Sequence, residues 1–333
     1  MIAGFFVRES FHFLKKIGGT TMLFVFPGQG SQKIGMGKDV YEAFQSARDV
    51  FHEVDDAISF GLSDLIFNGS EEELKKTENV QPALLAFSMA MVRVLQREFG
   101  VDVADKSTFL AGHSLGEYTA LCADRVVSLS DTAEILKARG AAMAEAYPTG
   151  GTMAAIIGLD VDALEKIVSG CASENEIVQI ANDNSAEQIV ISGNINAVKK
   201  AADGALSAGA KKAIFLEVSG PFHSRLMENA VGKISEILSK TRFDQPLKPI
   251  ISNVTARAET GDFRELLSRQ ITERVRWRES ILFAESQSVS RCVEIGPSRT
   301  LLGLTKRISP TMELISVNSI ESLESFAKIC DAK

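Results

Sequence analysis

Short apolar runs alternate along this chain with longer stretches in which apolar residues recur every three or four positions. Met22-Leu23-Phe24-Val25-Phe26 is uninterrupted by polar residues, as expected of a strand buried on both faces. Thr108 to Ala111, Ile250 to Asn253, Cys292 to Ile295 and Leu314 to Val317 read the same way. Between them lie helical stripes. Val40, Phe44, Ala47, Phe51 and Val54 predict one amphipathic helix over 39–56. Ser70 with Glu71, Glu72 and Glu73 starts another. Gln81-Pro82-Ala83 opens a long apolar helix that runs to about Phe99. Asp131 and Glu134 resemble a capping box for a helix to about Tyr147, striped by Ile135, Leu136, Ala142, Met143 and Ala146. Further helices are expected from Leu226 and over 263–275.

From Gly150 the rhythm changes. Strands at 152–157, 176–180, 188–191 and 212–218 surround helices at 161–168 and 195–208, with a turn at Asn182-Asp183-Asn184-Ser185. The order β-α-β-β-α-β is that of a ferredoxin-like unit. The predicted fold is therefore α/β: an α/β-hydrolase-like core with a parallel sheet over 21–148 and 219–333, and an inserted ferredoxin-like subdomain over 149–218. A chain of 333 residues is long enough for that division.

A net charge of −7 argues against non-specific nucleic-acid binding and supplies no basic membrane patch. No run approaches the ~18 apolar residues of a membrane span. Cys122, Cys171, Cys292 and Cys330 are widely spaced without a C-x-x-C pair, which fits reduced thiols in the cytoplasm better than disulfides or a metal site. Residues 1–20 read as an extension ahead of a domain beginning near Met22. Arg8, Lys15 and Lys16 with Phe11, Phe13 and Leu14 have the makings of a weak amphipathic transit peptide, but Glu9 counts against organellar targeting.

The chemistry centres on Gly112-His113-Ser114-Leu115-Gly116. A strand, then G-x-S-x-G, then a helix is the context of a nucleophile elbow, with Ser114 at a helix N-terminus. Its general base emerges by elimination among four histidines. His12 lies in the extension, His52 on an early helix, and strand alternation turns His113 away from Ser114. His223, in Gly220-Pro221-Phe222-His223, remains. No Asp or Glu stands out as a third member. Arg139 falls on the apolar stripe of its helix, so its guanidinium either joins an internal ion pair or faces a cleft to hold an anion. Pro27-Gly28-Gln29-Gly30 lacks the pattern of a phosphate loop but can bring backbone N–H groups to a substrate oxygen.

With Phe26-Pro27-Gly28-Gln29-Gly30-Ser31-Gln32, Gln81-Pro82-Ala83-Leu84-Leu85, Gly112 to Glu117, Gly220 to His223 and Glu294-Ile295-Gly296-Pro297 in order, residues 22–320 resemble the malonyl-CoA:acyl-carrier-protein transacylases of fatty-acid synthesis. The resemblance implies a malonyl ester on Ser114 and His223 as acid and base. It places a backbone carbonyl near Gln270 on the imidazole, in place of a carboxylate. It also implies an oxyanion hole from the N–H groups of Gln29 and Leu115, and Arg139 paired with the malonate carboxylate. The side chains of Gln29, Gln270 and Phe222 would contact substrate, and Asn182 and Asn184 match a turn near the cleft. Malonyl-CoA and acyl carrier protein would be the partners of a monomer, with no cofactor and no metal. Arg276, Arg278 or Lys306 would meet the acidic carrier. A serine esterase or thioesterase uses the same elbow, but gains nothing from Arg139. A non-catalytic carrier-binding module has no use for an intact Ser114 and His223.

Overall fold

The computed structural model describes residues 21–331. The expectations for residues 1–20, His12 included, lie outside it. Ten strands among the described residues, numbered in chain order, form two sheets. The larger has the order β10 (Glu313–Val317), β9 (Arg291–Ile295), β1 (Met22–Phe26), β2 (Phe109–Gly112), β7 (Ile250–Ile251), β8 (Ala258–Glu259). Neighbours from β10 to β7 are parallel, and β8 closes one edge antiparallel. The alternation of side chains divides β1 between two cores. Phe24 and Phe26 pack with the long helix Thr77–Phe99 on one face, while Leu23 and Val25 pack with Trp277 and Ile281 on the other. That two-sided burial is why the strand is apolar throughout.

The second sheet is antiparallel, in the order β4 (Val178–Ser185), β5 (Gln188–Asn194), β3 (Gly151–Ile157), β6 (Lys212–Phe215). Ala154 and Ile156 of β3 pack beneath helices Val161–Cys171 and Ile195–Ser207; Met153 and Ala155 join the larger core. All four cysteines are free. No described helix is long and apolar enough to cross a membrane.

Several boundaries differ from the sequence reading. The stripe over 39–56 is two helices, Lys38–Ala43 and Gln45–Ala57, broken at an extended Phe44. Arg48 stabilises the break by donating to the carbonyls of Tyr41 and Glu42. The long apolar helix begins at Thr77, because Lys76 ends one helix and caps the next, so Pro82 lies inside it. Ser128, not Asp131, caps helix Leu129–Ala146, accepting from the Asp131 N–H. The expected turn at 182–185 is strand: β4 runs through it with two register shifts, held by backbone bonds to Val275. β6 stops at Phe215 rather than at 218. The helix expected over 263–275 ends at Arg269, and a second, unforeseen helix spans Trp277–Ser286.

Candidate active site

β2 passes through the elbow into helix Leu115–Ala123. Ser114 sits at φ 54°, ψ −111°, a conformation that costs a residue with a side chain on the order of 1–3 kcal/mol. The flanking glycines serve close approach of neighbouring backbone. A Cβ on Gly112 would lie 1.9 Å from the carbonyl carbon of Gly116, and one on Gly116 would lie 2.1 Å from the Phe26 oxygen. Asn253, at the end of β7, braces the turn. Its Oδ1 accepts from the Ser114 N–H at 2.7 Å and its Nδ2 donates to the Gly112 carbonyl at 2.6 Å.

The loop after β6 brings His223 to the serine, with 2.8 Å between Ser114 Oγ and His223 Nε2. His223 Nδ1 lies 2.8 Å from the backbone oxygen of Gln270. A carbonyl only accepts, so Nδ1 carries the proton and Nε2 is left to accept from the serine hydroxyl. The helix end at Arg269 makes this possible, since a helix continuing to 275 would engage the Gln270 carbonyl with its own N–H ladder. His223 is 3% exposed. Burial, reinforced by the positive charge of Arg139, pushes its pKa down to about 3, so the imidazole is neutral at physiological pH.

Arg139 is 1% exposed, on helix Leu129–Ala146. Nη1 donates to Gln81 Oε1 at 2.7 Å, and Nη2 donates to Gln270 Oε1 at 2.9 Å and to Ser114 Oγ at 3.1 Å. All three acceptors are neutral. The internal ion pair left open by the sequence is not formed: no carboxylate among the described residues lies within ion-pair distance of the guanidinium. The ring of Tyr118 covers it, 5.3 Å from centroid to Cζ.

Ser114, His223, Arg139 and Gln81 face a cavity of about 460 Å³, lined also by Gln29, Leu115, Met143, Met153 and Phe222, while Gln270 lies behind Arg139 and outside that lining. Leu115 opens its helix, so its N–H has no acceptor within that helix. His113 lines the cavity as well, but its ring bonds to Asn184 Oδ1 at 2.9 Å rather than to Ser114. Asn182 borders the same space from within β4. His52 bonds to the Tyr41 hydroxyl, away from the site. A larger groove of about 990 Å³ holds neither Ser114 nor His223. Of the proposed carrier-facing cations, Arg276 is ion-paired to Glu279, Arg278 to Asp183, and Lys306 donates to the Pro310 carbonyl.

Two residues of the site escaped sequence reasoning. Asn253 follows a short apolar strand with nothing local to mark it. Glu117 stands in the elbow motif but reads there as an ordinary first-turn acid. It is 0% exposed and its Oε2 accepts from Gln270 Nε2 at 2.6 Å and from the Asn253 N–H at 3.1 Å.

A serine on an elbow, a neutral imidazole held in the accepting tautomer and the N–H of Leu115 at the helix start together can form and discharge a serine ester, the chemistry of a serine acyltransferase. The chain belongs to the acyl transferase domain family, whose model matches residues 23–311. It is 44% identical over 304 residues to the malonyl CoA-acyl carrier protein transacylase of Bacillus subtilis, covering 90% of this chain and 94% of that protein. Its fold is similar to that of acyl-carrier-protein-S-malonyltransferase from Bartonella henselae, with a TM-score of 0.91 at 46% identity, covering 94% and 100% of the two chains. A malonyl-transacylase solved in complex with a type II PKS acyl-carrier protein matches with a TM-score of 0.89 at 40% identity, covering 93% and 100%.

Proposed function

We infer that this chain transfers the malonyl group from malonyl-CoA to the phosphopantetheine thiol of acyl carrier protein, supplying extender units for fatty-acid synthesis. The observation that carries the reading is Arg139: a buried cation with only neutral acceptors, bonded to the nucleophile itself, is matched by an acyl group that ends in a carboxylate.

In this reading the carboxylate of malonyl-CoA engages the guanidinium and sets the thioester carbonyl over Ser114. Oγ attacks the carbonyl carbon while His223 Nε2 takes the hydroxyl proton. The N–H groups of Gln29 and Leu115 hold the oxyanion, each typically worth ~2.7–4 kcal/mol in the transition state. The intermediate collapses, the C–S bond breaks, and the imidazolium returns its proton to the CoA thiolate. The carrier's thiol then repeats the sequence in reverse: it loses its proton to His223, attacks the malonyl-serine ester, and Ser114 leaves with the proton. The Gln270 carbonyl stabilises the imidazolium in both halves, raising its pKa less than a charged carboxylate would. Gln29 and Phe222 line the acyl site, and Gln270 acts on it through Arg139. CoA thioester is a substrate, and no cofactor enters any step. A cytoplasmic setting goes with this reading and with four free cysteines.

Mixing the protein with malonyl-CoA and weighing it intact tests the proposal. A malonyl adduct on Ser114 that discharges to holo carrier protein far faster than to water is the expected result. No adduct, or one that survives in Ser114→Ala, refutes it.

A further inference from the structure

Gln270 stands between two opposite charges. Its Oε1 accepts from Arg139 Nη2 at 2.9 Å, while its Nε2 donates to Glu117 Oε2 at 2.6 Å and to the Ser114 carbonyl at 3.1 Å. Both charged residues are buried, and no ion pair joins them directly. A carboxamide has two orientations of nearly equal shape. Turned over, Gln270 would set its oxygen against the Glu117 carboxylate and its amino group against the guanidinium, opposing like partners at both ends. The buried carboxylate therefore decides which way the amide points, and the amide decides where one arm of the guanidinium rests.

We propose that Glu117 is a positioning residue for acyl selection: acting through the carboxamide of Gln270, it aims the Arg139 guanidinium at the acyl site and compensates its charge from a distance, without touching substrate. A carboxylate in direct contact with Arg139 would neutralise the group that is to bind malonate. One interposed amide keeps the compensating charge close while leaving the guanidinium's donors for an incoming anion. Glu117 is anchored independently by the Asn253 N–H, and Asn253 in turn holds the Ser114 N–H, so the selector and the nucleophile share one frame. Burial pushes the Glu117 pKa up to about 7, so its carboxyl is fully ionised only above neutral pH and its compensation of Arg139 strengthens as pH rises.

The inference rests on Arg139 as the malonate clamp, and the experiment separates the two. Intact enzyme is assayed with malonyl-CoA and acetyl-CoA, and the ratio of kcat/KM values is taken for wild type, Glu117→Gln, Arg139→Ala and the double variant. Glu117→Gln is expected to lower the malonyl preference by about tenfold, malonyl transfer falling more than acetyl transfer, and to cost that preference nothing further once Arg139 is gone. Equal losses for both donors, or additive losses in the double variant, overturn the role of Glu117. If Arg139→Ala itself leaves the ratio unchanged, it is the clamp that fails. A readout on wild-type protein does not depend on the variant folding: in ¹⁵N-glutamine-labelled enzyme the Gln270 side-chain amide should show a downfield, slowly exchanging proton, and an ordinary solvent-like amide signal there refutes the contact.

Discussion

Ser114 and His223 are separated by 109 positions in the chain and by 2.8 Å in the site. Each stands in a left-handed backbone conformation, φ 54° and 55° respectively, so both halves of the dyad are held by tertiary structure against local preference. The imidazole that results is neutral because it is buried next to a cation.

That neutrality has a consequence for pH. A base works only unprotonated, and a pKa pushed down to about 3 keeps His223 in that form throughout the neutral and mildly acid range. Inactivation of the free enzyme by a serine-directed sulfonyl fluoride should therefore show no imidazole step near the ordinary value of about 6.5. A step that is absent in Glu117→Gln would belong to that carboxyl. One that persists in the variant would show an ordinary histidine and contradict the geometry.

Gly140 follows Arg139, and a Cβ there would lie 2.4 Å from the Thr77 carbonyl oxygen and 2.5 Å from the Glu78 Cα. Both obstacles are backbone, so Gly140→Ala must part the helix carrying Arg139 from the helix carrying Gln81. We expect a loss of roughly 1–3 kcal/mol in stability and a larger fall in malonyl than in acetyl transfer. Thermal unfolding and the two rates check it; an unshifted Tm would show that the helices are not packed this closely.

Glu294 at the end of β9 accepts from the N–H groups of Leu301 and Leu302, with its pKa pushed up to about 7 by burial. Unfolded, it titrates near the ordinary value of about 4.3. Between those values the folded state holds the proton and the unfolded state does not. Its contribution to stability is thus complete below the lower value and lost as pH rises through the upper one. Glu294→Gln should gain in Tm relative to wild type as pH is raised from 5 to 8. A difference that does not vary with pH would contradict the assignment.

Much of this was legible in the residues. Continuous apolar runs marked the strands because the central ones are buried on two faces, and the insert appeared as a change of rhythm at Gly150. Arg139 was found from helical periodicity alone: a cation on an apolar stripe needs a reason. Other features were set by contacts across the chain. The Asn182–Ser185 segment has turn composition, yet bonds to Val275 hold it extended. The helix at 264–269 stops where its next carbonyl is wanted by His223, a demand made from 47 residues away. Only the family resemblance pointed to the Gln270 carbonyl. Asn253 and Glu117, whose importance lies wholly in what they hold, left no local mark.

The most direct measurement is a competition. Wild-type protein and Arg139→Ala are each mixed with equal malonyl-CoA and acetyl-CoA, and the acyl group on Ser114 is read by intact mass. Wild type should carry malonyl, and the variant should lose about 10- to 100-fold of that preference, the worth of charge-assisted hydrogen bonds to a carboxylate. An unchanged preference in the variant would mean that the buried guanidinium does not choose the substrate.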